Sequence, residues 1–324
     1  MIFFEITICG QRNQPQTTTA ARVFCLRRWC SALLAGWAVC SLAGLAGTAA
    51  AQPVQVTDGR GVLIRLAQPA RRIITLAPHL TELVYAAGAD GRLAGVARYS
   101  DYPAPARQLP VVSDAGWFDR ERMLALRPDL VLAWKTGTPP EVIARLEGIG
   151  LQVYVMEVAR LADIARGIAT IATLAGTLPE SAPARTALAE GLRALQSRRM
   201  TGPPLRVFYE IWPRPLLTVN KDHLISEVLS LCGGINVFGA ERMLTPEVSR
   251  EALLAARPEV VLGGGSADTA ATFAARWAAQ PPPLNAIPAF HVAPDLIQRP
   301  TPRVLDGARA ICAALDGMRA RSGR

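Results

Sequence analysis

The chain has 324 residues, half of them hydrophobic and 19% charged, with 35 basic against 26 acidic side chains and a formal net charge of +9. Without the first 51 residues, which hold four arginines and one glutamate, the balance is 31 basic to 25 acidic, a net +6. No lysine or arginine run and no basic–aromatic strip remains, which argues against nucleic acid as a partner. The roughly 270 residues left exceed one simple core and suffice for two lobes.

Arg27 and Arg28 precede an uncharged apolar stretch from Ser31 to Ala46, and Ala49-Ala50-Ala51 stands just before Gln52. A positive flank, an apolar middle and a small-residue exit are the parts of a secretory signal peptide, cleaved here near Ala51/Gln52. A membrane anchor needs about 20 apolar residues, more than this Ala- and Gly-rich stretch supplies. Lipidation at Cys40 is disfavoured by Trp37-Ala38-Val39, where small residues are expected. Residues 1–20 sit oddly upstream of a signal, and a start nearer Val23 fits it better. Cys9, Cys25, Cys30 and Cys40 leave with this segment. Cys232 and Cys312 remain, an even pair in an oxidising compartment. Bridging them closes a loop of about 80 residues, worth roughly 4.5 kcal/mol in the chain-entropy picture; two buried free thiols are the alternative.

Downstream, short β-rich runs alternate with helical stretches. Arg72–Leu76 reads as a strand, followed by a helix over Thr81–Ala87 ended by Gly88. Leu130–Ala133 and Val153–Met156 are strands, with a helix over Pro140–Leu146 between them. From Leu161 to about Arg199 the pattern is helical. Strands return at Val207–Ile211 and Val260–Gly263, with helices at Leu224–Leu231 and Arg303–Leu315. Such βα alternation predicts mostly parallel sheets covered by helices. The expected organisation is an α/β lobe over residues 52–158, a helical connection over 159–200 and a second α/β lobe over 201–324.

Residues 120–132 (Arg-Glu-Arg-Met-Leu-Ala-Leu-Arg-Pro-Asp-Leu-Val-Leu) match residues 250–262 (Arg-Glu-Ala-Leu-Leu-Ala-Ala-Arg-Pro-Glu-Val-Val-Leu). In each copy a capping residue, Asp119 or Ser249, opens a two-turn helix, and Arg-Pro stops it because proline disfavours helix in its predecessor. An acidic residue and an apolar strand follow, so each lobe carries the same helix–strand unit. Glu121 and Glu251 occupy the same early helix position. There they complement the helix dipole, and across two lobes they would also form matched acidic points suited to arginines on a partner that spans both.

These residues carry a resemblance. From about Arg71 to Leu315 the chain resembles the periplasmic cobalamin-binding proteins of bacterial ABC importers, within the wider family that also captures siderophores and haem. The resemblance rests on Arg72–Leu76 with Thr81-Glu82-Leu83, Tyr99-Ser100-Asp101-Tyr102-Pro103, Leu126–Trp134, Val248-Ser249-Arg250-Glu251, Cys232-Gly233-Gly234, and Arg299 with Thr301-Pro302-Arg303. It implies a class III periplasmic binding protein, two Rossmann-like α/β lobes joined by a long connecting helix with limited closure on ligand. Cys232 and Cys312 fall where the family has its disulfide, and Glu121 and Glu251 where it presents two glutamates to arginine pockets of the permease dimer. Tyr99 falls on a tyrosine that packs against the corrin, and Asp295, Leu296, Ile297, Gln298 and Arg299 on a segment lining the same cleft. Cobalamin is then the transported ligand, and no cofactor is implied. Where well-known cobalamin binders place aromatic rings, this chain has Leu217, Thr245 and Leu296. Trp117 stands in for a tryptophan aligned at Ala115, and Trp212 is a further candidate wall. Aliphatic walls still bury a large, partly apolar corrin; a siderophore or haem binder of the same fold is the nearest alternative.

Other chemistry is weakly supported. His79, His223 and His291 form no i, i+4 pair and neighbour no Cys-x-x-Cys, so no metal site is indicated. His79 follows the first strand and fits a helix start better than a ligand role. Gly263-Gly264-Gly265-Ser266 lacks the pattern of a nucleophile elbow, and no G-x-G-x-x-G opens a helix. Asp101 and Asp295 are candidate acids without a histidine base in any motif. An exported α/β hydrolase is thus the outside alternative, and a non-catalytic capture protein the expectation.

Overall fold

The computed structural model describes residues 53–114, 117–200, 202–265 and 268–321. The N-terminal segment read as a signal, with its four cysteines and expected cleavage site, and Ala115 and Ser266 lie outside the described residues. The described chain opens with an antiparallel hairpin of β1 (Val54–Thr57) and β2 (Leu63–Leu66). Then comes a sheet of β3 (Ile73–Thr75), β4 (Leu93–Ala97), β5 (Val111–Asp114), β6 (Trp117–Phe118), β7 (Leu130–Trp134) and β8 (Val153–Met156), in the order β6-β5-β4-β3-β7-β8. Every pair is parallel except β5 with β6. Parallel pairing needs crossovers, and α1 (Pro78–Ala86), α2 (Arg120–Ala125) and α3 (Pro140–Gly148) run between strands of this sheet. With both sheet faces covered, the strands are continuous apolar runs: Leu130 and Leu132 of β7 enter one core, Val131 and Ala133 the other.

The second sheet has β9 (Leu205–Glu210), β12 (Gly234–Asn236), β13 (Val260–Gly263) and β14 (Ala289–His291), all parallel in the order β12-β9-β13-β14. β10 (Trp212–Pro213) and β11 (Leu216–Leu217) make a small separate hairpin. The helices of this half are α6 (Leu224–Leu231), α7 (Arg250–Ala256), α8 (Ala270–Ala278), α9 (Pro294–Ile297) and α10 (Val304–Arg321). Two α/β lobes joined through helix are therefore present, as expected.

The connection is two helices, α4 (Leu161–Ala175) and α5 (Ala182–Gln196), where the composition alone suggested one helical stretch. Gly176 ends α4 in the left-handed region (φ 69°), and a Cβ there would meet Pro69 at 2.9 Å. Ile164, Ile168 and Ile171 of α4 are fully buried in a core shared by the inner faces of both sheets. Burying each contributes about 1.5–3 kcal/mol, so α4 is a packed strut. Its first turn is tied to the second lobe, because Glu227 of α6 accepts from the Leu161 amide at 3.0 Å.

Both copies of the matched unit fold as capped helix then strand. Asp119 accepts from the Arg122 amide (2.9 Å) and Ser249 from the Ala252 amide (3.1 Å). Both helices stop before Arg-Pro, and Arg127 (φ 46°) and Arg257 (φ 44°) adopt left-handed backbone. The left-handed turn lets their amides reach Leu124 O (3.0 Å) and Leu254 O (3.2 Å), satisfying carbonyls that a helix end leaves unpaired. Cys232, just past α6, is bridged to Cys312 in α10, with Cα atoms 4.7 Å apart across a separation of 80 residues.

Candidate ligand cleft

Parallel strands deliver their carboxyl ends and following loops to one edge of a sheet, where ligands of such folds bind. Here loops of both sheets line a cleft of about 600 Å³. From the first lobe come Pro78 and His79 at the start of α1, Tyr99 and Asp101 after β4, and Trp134 at the end of β7. The second lobe contributes Asp268, His291, Ala293, Pro294, Asp295, Gln298 and Arg299.

Tyr99 has a positive φ of 64° and is 70% exposed. Left-handed backbone at an aromatic residue costs on the order of 1–3 kcal/mol, and the next residue helps to hold it. Ser100 is buried and accepts from Thr81 Oγ1 at 3.0 Å, and Thr81 meets Thr75 Oγ1 at 2.7 Å. This hydroxyl chain anchors the loop to β3 and α1. Trp134 is fixed from three sides: its indole N–H donates to Glu157 (3.2 Å), its amide to Thr138 Oγ1 (3.1 Å), and its ring meets His79 edge-on at 5.1 Å.

Arg299 joins the lobes at the cleft. Its Nη1 donates to Glu82 Oε1 (3.1 Å) and Asp101 Oδ1 (2.8 Å), and its Nη2 to Tyr99 O (3.3 Å), with Asp295 Oδ1 at 3.1 Å. Arg303 also reaches Glu82 Oε1 (3.1 Å) while its guanidinium lies 4.1 Å over the Tyr102 ring. Burial raises the Glu82 carboxyl above its ordinary value, and the bonds from Arg299 and Thr301 oppose this without reversing it. Desolvation also lifts Asp101, but the Arg299 bond and charge outweigh it and leave the carboxyl lowered. Burial, helped by the Arg299 charge, pushes His79 down to about 3, so its ring is neutral at pH 7.

Of the candidates read from sequence, Tyr99, Asp295, Gln298 and Arg299 converge on this cleft. Ile297 is buried and lines a smaller adjoining hollow of about 90 Å³ with Trp134, His223 and Gln298. Leu296 does not line the cleft, nor do Leu217, Thr245 or Trp212, whose indole donates to Arg214 O at 2.9 Å. Trp117 lines a separate depression of about 40 Å³ with Ser113, Asp114 and Phe118. Glu121 and Glu251 are exposed at the starts of α2 and α7, outside the cleft lining.

Sequence reasoning did not assign Trp134, Asp268 and His291 to the cleft, and it gave His79 a helix-start role. A bulky aromatic at the carboxyl end of a parallel strand was the usable signal for Trp134. Among the described residues, no group of three His, Cys, Asp or Glu side chains could hold a metal ion.

The model of the family described as periplasmic binding protein matches residues 73–291. The vitamin B12-binding protein of Vibrio cholerae serotype O1 is 34% identical over 247 residues, covering 76% of this chain and 90% of that protein. The crystal structure of the periplasmic vitamin B12 binding protein of Vibrio cholerae is similar with a TM-score of 0.69 at 33% identity, over 78% of this chain and 98% of that one. A periplasmic haem-binding protein from Pseudomonas aeruginosa is similar at a TM-score of 0.66 and 26% identity, over 76% and 93% of the two chains. The chain belongs to the periplasmic binding protein family.

Proposed function

We propose that this protein captures a corrinoid, cobalamin first among them, in the periplasm and delivers it to the permease dimer of an ABC importer. The observation that carries the reading is the two-lobed cleft of about 600 Å³, faced by Tyr99 from one side of a shared ionic tie and by the α9 segment from the other. Its size and its mix of aromatic, aliphatic and polar lining suit a large, partly apolar, hydrogen-bonding ligand. The vitamin B12-binding relatives described above support the same ligand class. The loops hold Tyr99 and Trp134 in place before any ligand arrives, which suits capture with little rearrangement.

Delivery is assigned to Glu121 and Glu251. Both head a capped helix of the matched unit, one per lobe, and both carboxylates stand exposed for charge-assisted contact with arginines of the permease. The mature chain starts near Gln52 in this reading.

The test is direct. The mature protein purified from a corrinoid-supplemented periplasm should carry the strong visible absorption of a bound corrin. Tyr99→Ala should weaken cobalamin binding by about 1–3 kcal/mol through the lost apolar contact. A protein that takes up haem or iron chelates and leaves cobalamin in solution would overturn the ligand.

A further inference from the structure

We infer that the cleft reads the amidation state of its ligand: it accepts a corrinoid whose peripheral side chains are uncharged amides and rejects one whose periphery carries carboxylates. This rests on the corrinoid reading above and goes beyond it to the chemical form selected. Among the described lining residues, Asp101, Asp268 and Asp295 are acidic and Arg299 alone is a fixed cation. The side chains of Asp101 and Asp295 are 40% and 43% exposed, so the ion pair with Arg299 does not bury them.

The one cation is already paired through both terminal nitrogens. Arg299 spends Nη1 on Glu82 and Asp101 and Nη2 on Tyr99 O and Asp295. The nearest guanidinium behind Asp268 is equally committed: Arg276 donates to both oxygens of buried Glu210 (2.9 and 2.6 Å) and to Asp268 (3.0 Å). A ligand carboxylate entering here would meet three carboxylates and no free arginine. An amide meets the opposite situation. Each aspartate keeps acceptor capacity for N–H donors, since a carboxylate has about four lone-pair sites. Gln298, on the same lining, carries an uncharged side-chain amide rather than a cation. The same logic disfavours haem, which carries two propionates.

The test compares cobalamin with the three monocarboxylic acids made by mild hydrolysis of its propionamides, and with their methyl esters, by calorimetry on the wild-type protein. At low ionic strength at least one acid should bind about tenfold or more weakly than cobalamin. Its methyl ester should recover most of the loss, because the ester restores neutrality. In about 1 M salt, where the Debye length falls to about 3 Å, the gap should narrow severalfold. Asp295→Asn should also reduce the acid-to-amide ratio severalfold. All three acids binding as tightly as cobalamin would overturn the inference, as would an ester as weak as its acid with a gap indifferent to salt. Failure of cobalamin itself to bind would instead remove the corrinoid reading beneath it.

Discussion

The unit at residues 119–134 and its counterpart at 249–264 share their front and middle and part company at the back. In both, an acidic side chain before the strand grips the neighbouring strand's backbone: Asp129 takes the Arg71 and Arg72 amides (2.8 and 3.0 Å), and Glu259 takes the Arg206 amide (3.0 Å). In both, an arginine of that neighbour closes the helix end, Arg72 on Leu126 O (2.6 Å) and Arg206 on Ala256 O (2.6 Å) and Arg257 O (3.1 Å). Continuing the register two places past the match sets Trp134 opposite Gly264. The tryptophan lines the cleft and meets His79; the glycine, at φ 146°, leaves room for His291, whose ring a Cβ there would strike. Repetition thus sets the scaffold and the exposed glutamates, and the side chains that line the cleft lie where the copies stop being copies.

The shared front is broken most severely by reversing both helix starts. Glu121→Arg with Glu251→Arg should abolish uptake, because like charges facing the permease arginines cost several kcal/mol at an interface. Each single variant should lose part of the transport. Ligand affinity in solution should stay near wild type, since neither carboxylate lines the cleft. Uptake by whole cells beside calorimetry checks both halves, and normal transport by the double variant would remove the docking role.

The lobes also differ in fastening: a disulfide ties α6 to α10 in the second, and the first has none among its described residues. Cys312→Ser should therefore lower stability by a few kcal/mol, up to roughly 4.5, with ligand affinity preserved because the bridge lies outside the cleft lining. Denaturant midpoints that coincide with and without reductant would show that the bridge contributes nothing. At the back of the unit, Trp134→Ala should weaken corrinoid binding by about 1–3 kcal/mol, measured by calorimetry. Unchanged affinity would leave the difference between the copies without a functional meaning.

Much of this scaffold was legible from pattern. β8, β13 and α6 have the bounds their sequences suggest, because apolar runs and flanking turn residues coincide there. Strands as short as β6, β10 and β11, two residues each, carry no periodicity to read. The helix stops at Arg-Pro were legible too, but the left-handed turn of Arg127 and Arg257 was not, because it depends on which helix carbonyls are left to be satisfied. Tyr99 and Arg299 were found through resemblance. The cleft as a constellation was not, because β3, β7 and β14 bring His79, Trp134 and His291 together from distant positions, and sequence spacing says nothing of which strand ends become neighbours.

The smallest expected effect concerns the histidine beside Trp134. Burial, with the Arg299 charge, holds His79 down at about 3, and burial holds His223 at about 4, both against an ordinary 6.5. In the folded protein each ring stays neutral, whereas the unfolded chain takes up a proton as pH falls below 6.5. Folding stability should therefore be level above that pH and decline as pH drops towards 4, by up to about 1.4 kcal/mol per pH unit for each histidine. Glu82 acts with the opposite sign, because its raised value lets the folded state bind a proton first, and it offsets part of the decline. Urea midpoints at pH 7.5 and 5.0 measure the net slope. His223→Asn should remove roughly half of the histidine contribution while keeping the α6 cap, since His223 Nδ1 only accepts from the Ile225 amide (3.1 Å) and asparagine can do the same. Trp134→Ala should shallow the slope by admitting water to His79, whereas Gly264→Ala in the other copy should leave the His79 share intact. A midpoint equal at both pH values, or a slope that Trp134→Ala does not change, would mean that the tryptophan is not what keeps this histidine dry.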